Sequence, residues 1–210
     1  MPVIFDMDGV IADTQKIHSS IESEMLAELF GISITPEEIT SRFSGRSLRD
    51  QFAELHSDKG MPYTHDPALS DRKAELFMAR SADYTPIEGT IARIESLYGR
   101  TPLGVASASR PEVVRLVLNT IGVIRRFDAL ASSKEVERGK PAPDVFLLAA
   151  ARLGVNPRDC IVVEDGVSGM IGAKAAGMQC VALVTDRNRE YPADIVVTDL
   201  RDVPLSYFLS

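Results

Sequence analysis

The stretch Val3-Ile4-Phe5-Asp6-Met7-Asp8-Gly9-Val10 decides how the rest of the chain is read. Its β-branched and aromatic run has the composition of a buried strand, and it ends in two carboxylates one residue apart and a glycine able to turn the chain. Alternate residues of an extended chain point the same way, so Asp6 and Asp8 leave the strand tip on one side, close together. Two such charges repel unless a cation or a proton lies between them. Taken alone, the pattern fits a polar turn as well as an acidic site.

The chain of 210 residues, 45% hydrophobic and 25% charged, has the make-up of a soluble protein with one full domain and a smaller insert. No apolar run approaches the roughly 20 residues that span a bilayer, and the N-terminus enters the first strand without a signal-peptide pattern. These features predict a cytoplasmic protein, a monomer or weak homo-oligomer with no membrane partner. The formal charge of −7 argues against a nucleic-acid partner. A small anionic substrate stays open, because a metal ion and a few placed cations reverse the potential locally. Cys160 and Cys180 lie in apolar runs, where cysteine acts as a small hydrophobe.

Outward from the first strand, apolar residues recur with a helical period from Gln15 to Phe30, stopped by Gly31. Thr35-Pro36-Glu37-Glu38 starts a second helix, and further helical patterns cover Leu48 to Leu55 and Leu69 to Ala82. No convincing strand falls between Gln15 and Ala82. Beyond Pro86 the texture alternates. Strands are expected at Leu103 to Ala106, Phe127 to Leu130, Cys160 to Val163, Cys180 to Leu183 and Ile195 to Val197. Helices are expected at Ile91 to Tyr98, Glu112 to Ile121, Val145 to Leu153, Ser168 to Ala176 and Leu200 to Phe208. This alternation predicts an α/β fold, a doubly wound, Rossmann-like and mostly parallel sheet covered on both faces. The core is residues 1–14 and 83–210, and residues 15–82 form an inserted all-helical cap.

In such sheets ligands bind at the carboxyl ends of the strands. Asp6 and Asp8 stand at one tip, Ser107-Ala108-Ser109 at another and Glu164-Asp165-Gly166 at a third, with Lys140 in the loop Gly139-Lys140-Pro141-Ala142-Pro143-Asp144. Each has a plain structural alternative. Ser109 with Glu112 has the spacing of a helix capping box, Glu164-Asp165 suits a helix N-terminus, and Lys140 could be a solvated lysine. Four decorated tips on one edge point jointly to a site.

In order and context, Asp6-x-Asp8-Gly9-Val10, Ser107, Lys140-Pro141 and Glu164-Asp165-Gly166 resemble the four motifs of the haloacid dehalogenase-like hydrolases. Within that superfamily the chain is most similar to the β-phosphoglucomutase-like group, through Asp13-Thr14, the Lys140 loop, Val163 to Gly169 and the helical insert. The resemblance implies Mg²⁺-dependent phosphoryl transfer to or from a small phosphorylated metabolite, such as a sugar or polyol phosphate. It makes Asp6 the nucleophile and Asp8 the proton carrier, with Ser107 holding the phosphoryl group and Lys140 balancing charge. Mg²⁺ would be held by Asp6, the Asp8 backbone carbonyl and Asp165, with Glu164 beside them or as an alternative ligand. Ala108 and Ser109 would line the phosphoryl group.

In the insert, Gly45-Arg46-Ser47-Leu48-Arg49-Asp50 resembles the substrate-reading loop of this cap type, and His18 falls where the mutase has a histidine after its first motif. Gly45, Arg46, Ser47, Arg49 and His18 are therefore candidate substrate contacts; a surface turn and a packed histidine are the alternatives. Two departures matter. Leu48 stands where the mutase grips a phosphate with arginine, and Pro111 where it has an asparagine. Both favour hydrolysis over phosphomutase chemistry. A phosphonatase would need a cap lysine, for which Lys59 and Lys73 are the candidates, and a non-catalytic sensor would be free to lose Asp6 or Asp8.

Overall fold

The computed structural model describes residues 1–43 and 48–209. The chain divides into two compact units, residues 1–13 with 84–210, and residues 14–83.

In the first unit, strands β1 (Val3–Phe5), β4 (Leu103–Ser107), β5 (Ala129–Ser132), β6 (Ile161–Glu164), β7 (Gln179–Leu183) and β8 (Ile195–Val197) form one six-stranded sheet. Every pairing is parallel. The spatial order is β5-β4-β1-β6-β7-β8, which places β1 at the centre and reverses the winding direction beside it. Helices α5 (Glu88–Leu97), α6 (Pro111–Ile121), α7 (Asp144–Leu153), α8 (Val167–Ala175) and α9 (Leu205–Leu209) provide the cover. Ile4, Ala106, Ala131, Val162, Cys180 and Ala182 point to one face, where they pack with Val145, Phe146, Ala149, Met170 and Ala173 of α7 and α8. Phe5, Val105, Val163 and Val181 have the opposite parity and are equally buried. Burial on both faces is why these strands read as unbroken apolar runs.

Several details of the first unit differ from the sequence expectation. Strand β5 runs Ala129–Ser132, two residues later than Phe127 to Leu130, so its tip is Ser132. The closing helix does not run through from Leu200. A 3-10 turn, Leu200–Asp202, precedes α9, because Pro204 offers no backbone N–H and Val203 before it is extended (φ −81°, ψ 123°). Strands β2 (Ala12–Asp13) and β3 (Thr85–Pro86) form an antiparallel ladder that had no sequence signature; it joins the segments where the chain leaves the first unit and returns.

The second unit holds α1 (Gln15–Phe30), α2 (Pro36–Phe43), α3 (Leu48–Asp58) and α4 (Ala68–Ala79), with no strand among the described residues. Helix α1 ends at Gly31 in the left-handed conformation (φ 66°), and its buried stripe of Ile17, Ile21, Met25 and Leu26 packs against α2 and α4. Between α1 and α4, Lys73 Nζ donates to Glu22 Oε1 at 2.5 Å, with the Glu22 side chain only 3% exposed. Stripping that partner leaves a buried carboxylate uncompensated. Lys73→Met is therefore expected to lower unfolding free energy by about 3 kcal/mol in urea melts, while the double change Lys73→Met with Glu22→Leu recovers most of it.

Candidate active site

The first polar residue after β1 is Asp6, whose backbone N–H still donates to the Val163 carbonyl of β6 at 2.9 Å. The chain then turns sharply. Gly9 donates to the Ala12 carbonyl at 2.8 Å, while Ile11 and Ala12 both donate to the Met7 carbonyl at 2.8 and 3.0 Å. Gly9 has φ +78°, and a Cβ there would lie 2.1 Å from Asp165 Oδ2, so both conformation and space demand glycine.

Lys140 joins three tips. Its Nζ donates to Asp6 Oδ1 at 2.5 Å, to Glu164 Oε1 at 2.6 Å and to the Ala106 carbonyl at 3.2 Å, and lies 5.0 Å from the centre of the Phe146 ring. Three donors meet three acceptors. Burial pulls the Lys140 pKa down, but Asp6 and Glu164 outweigh it and hold the ammonium above the ordinary lysine value. The second oxygen of Glu164, Oε2, accepts the Gly166 N–H at 2.7 Å. Glu164 is thereby fixed by both oxygens. Gly169, in the first turn of α8, makes room for it, since a Cβ there would lie 1.7 Å from Glu164 Oε1.

Carboxylate oxygens of Asp6, Glu164 and Asp165 lie within 4.8 Å of one another. Burial pushes the Asp6 carboxyl up to about 8 despite Lys140, with Glu164 and Asp8 adding to the rise. Burial and the same neighbours also raise Asp165 well above the usual carboxylate range. One lysine cannot neutralise this many acids. The donor set is hard oxygen throughout, which fits Mg²⁺.

At the β4 tip, Ser107 Oγ accepts the Ser109 N–H at 3.0 Å, so the Ser107 hydroxyl proton is directed elsewhere. Ser109 Oγ donates to Asp8 Oδ2 at 3.1 Å. The expected Ser109–Glu112 capping box is absent, because α6 is capped at Arg110 with no side-chain cap bond and the Ser109 hydroxyl is spent on Asp8 instead. Ala108 is exposed at the same turn.

Residues 3–183 match the family profile of the haloacid dehalogenase-like hydrolases. The chain belongs to that family. It is similar to the fructose-1-phosphate phosphatase of Escherichia coli, 32% identical over 85% of this chain and 94% of the relative. It is also similar to the β-phosphoglucomutase of Bacillus subtilis, 31% identical over 97% of this chain and 91% of the relative. Among solved structures, a conserved haloacid dehalogenase-like protein of unknown function from Agrobacterium tumefaciens superposes with a TM-score of 0.80 at 31% identity, covering 98% of this chain and 96% of its own.

Of the other candidates, Gly45, Arg46 and Ser47 lie outside the described residues. Arg49 is exposed at the start of α3, and His18, on α1, stacks on Phe77 with ring centres 4.4 Å apart. Sequence reading missed Ser132, which bonds Ser109, and Tyr84, a buried phenol whose pKa is raised by burial and by Asp8. For Tyr84 the only available signal was its place beside the chain's return to the core.

Glycine to alanine inside a helix ordinarily stabilises by about 0.5–1 kcal/mol. At Gly169 the sign reverses. Gly169→Ala is expected to destabilise by about 1–3 kcal/mol in chemical melts, because the methyl group displaces Glu164 and the displacement reaches Lys140.

Proposed function

We propose that the protein is a Mg²⁺-dependent phosphomonoester hydrolase acting on a small phosphorylated metabolite, a sugar or polyol phosphate, through a phosphorylated Asp6. The observation that carries this reading is the meeting of Asp6, Glu164, Asp165 and Lys140 beside Asp8 and the β4 serines, all at the carboxyl edge of one sheet. The named activities of the relatives agree with the substrate class.

Phosphoryl transfer places charge on the in-line and equatorial oxygens, so catalysis consists largely of positioning and electrostatic stabilisation. An Asp6 oxygen attacks phosphorus, the ester P–O bond breaks, and the leaving oxygen takes a proton from Asp8. Water then attacks the phosphorus of phospho-Asp6 and gives its proton to Asp8, releasing phosphate and restoring both carboxyls. The Ser107 hydroxyl and the neighbouring backbone hold the phosphoryl oxygens. Lys140 offsets charge on Asp6 and on the phosphoryl group. Glu164 keeps Lys140 in place. Asp6, Asp165 and the Asp8 carbonyl would hold Mg²⁺, which neutralises phosphoryl charge when bound. Residues 15–82 serve as the cap, excluding water and reading the leaving group, with Arg46, Arg49 and His18 as its candidate contacts.

The similarity to β-phosphoglucomutase makes phosphomutase activity the second reading. Against it, Leu48 is a buried apolar residue and Pro111 is the first residue of α6. The lysines a phosphonatase would need are otherwise placed, Lys73 on Glu22 and Lys59 exposed beyond α3.

Asp6→Asn is expected to lower Mg²⁺-dependent phosphate release from hexose phosphates to background while circular dichroism stays native; near-wild-type turnover by this variant would sink the reading. Interconversion of glucose 1- and 6-phosphates primed by a bisphosphate, faster than phosphate release, would favour the mutase instead. Metal binding must displace the proton that Asp6 holds below about 8. Apparent Mg²⁺ affinity should therefore rise as pH approaches that value, by up to about tenfold per unit for each proton displaced. Calorimetric titrations in buffers of different ionisation enthalpy would count the released protons.

A further inference from the structure

We infer that Ser109 and Ser132 form a two-link support that positions Asp8, Ser109 by a direct hydrogen bond and Ser132 by fixing Ser109. The inference rests on the proposed role of Asp8 as proton carrier.

The Ser109 backbone is held on both sides, its N–H by Ser107 Oγ at 3.0 Å and its carbonyl by Ser132 Oγ at 2.6 Å. Its own hydroxyl reaches Asp8 at 3.1 Å. Ser132 is 1% exposed at the carboxyl end of β5, directly across the ladder from Ser107. The proton arrangement is dictated by the partners. The Lys134 N–H donates to Ser132 Oγ at 3.0 Å and the Ser109 carbonyl can only accept, so the Ser132 hydroxyl proton points at Ser109. The Ser132 N–H donates to Glu135 Oε2 at 2.9 Å and Arg152 bridges both Glu135 oxygens at 3.0 and 2.9 Å; these bonds belong to the cap of the 3-10 turn Ser133–Glu135 and not to the support of Asp8. The Ser109 hydroxyl is not needed by the helix that follows, since α6 takes no cap from it, whereas Ser132 Oγ also caps that 3-10 turn in a capping box with Glu135, a structural role that the test has to separate from the bond to Ser109.

A carboxyl group that gives a proton to one oxygen and takes it from another must keep its place within a fraction of an ångström. Loss of either link weakens the hold on Asp8 from the β4 side. The consequence depends on the leaving group, since a sugar alkoxide needs the proton as it departs and p-nitrophenolate does not. These two serines are thus positioning residues with a substrate-specific signature.

The test compares kcat/KM for a hexose phosphate that the wild type hydrolyses with kcat/KM for p-nitrophenyl phosphate. Ser109→Ala and Ser132→Ala are each expected to lose about tenfold on the hexose phosphate and less than about twofold on the aryl ester, with KM little changed. The double variant should be no worse than Ser109→Ala, because Ser132 acts through Ser109. Ser132→Thr, which keeps the hydroxyl, should restore the wild-type ratio of the two substrates. Glu135→Gln, which perturbs the same cap without touching Ser109, should leave that ratio unchanged. Should Ser132→Ala fail to fold, Ser132→Cys supplies a weaker donor of similar size, and the partly exposed Ser109→Ala tests the first link alone. Equal losses on both substrates, additive losses in the double variant, or a rise in KM with kcat intact would overturn the inference. Asp8→Asn separates the two levels: without the same selective loss in that variant, the proton-carrier assignment itself fails, whereas selective loss there but not in the serine variants defeats only the support.

Discussion

A single buried ammonium organises the core unit. Lys140 lies in a loop, yet its three bonds reach the β1 tip, the β6 tip and the edge of β4. Taking an ammonium out of water costs several kcal/mol, which only well-placed acceptors offset. Those acceptors are what the strand tips present, so the geometry that makes the site also keeps the loop docked. The neighbours serve the same constraint. Gly166 pins the far oxygen of Glu164, Gly169 leaves the volume the carboxylate fills, and Phe146 offers its ring to the cation. The site's charge is a local matter. A net charge of −7 says little about a site where one lysine faces crowded carboxylates.

What the sequence made legible follows from burial on two faces. Parallel strands covered on both sides are apolar throughout, so the step to the first polar residue marks the carboxyl edge. Asp6, Ser107 and Glu164 all stand at such steps. The same step, Ala131 to Ser132, ends β5, but the run Phe127 to Leu130 places the expected strand two residues early, so Ser132 falls beyond its expected tip. Ser109 and Glu112 matched a capping spacing, but a local pattern cannot register Asp8, which approaches from 101 positions away and takes the hydroxyl. Tertiary competition for a side chain is invisible to spacing. The two-residue ladder of β2 and β3 was missed for another reason, being too short to carry any period. Pro204 was visible in the sequence and sufficient to break the closing helix.

The helical unit was legible in its elements and far less so in its chemistry. Gly31, Pro36 and the α1 stripe follow from caps and periodicity alone. The candidate substrate-reading residues Gly45, Arg46 and Ser47 lie outside the described residues. Lys73 shows why residue type alone misleads here. By residue type Lys73 is a candidate active-site amine, and its partner is Glu22 on another helix, 51 positions away.

The balance between hydrolysis and mutase chemistry turns on what each must hold. A mutase has to bind a bisphosphate in either orientation, so it needs a second strong anion grip besides the transfer site. A hydrolase has only to release an alcohol and admit water. Leu48 is buried at the head of α3, where a guanidinium would have to be desolvated to be accommodated. Pro111 sits at the first position of α6, where its fixed φ suits the helix and its ring donates no hydrogen bond. Each residue is well explained by its own local packing, and neither can grip a phosphate. Both departures fall on the grip that hydrolysis does not use, while Asp6, Asp8, Ser107, Lys140 and Asp165, the residues of the proposed transfer site, are all present. That asymmetry is what weighs the chain toward water as the phosphoryl acceptor.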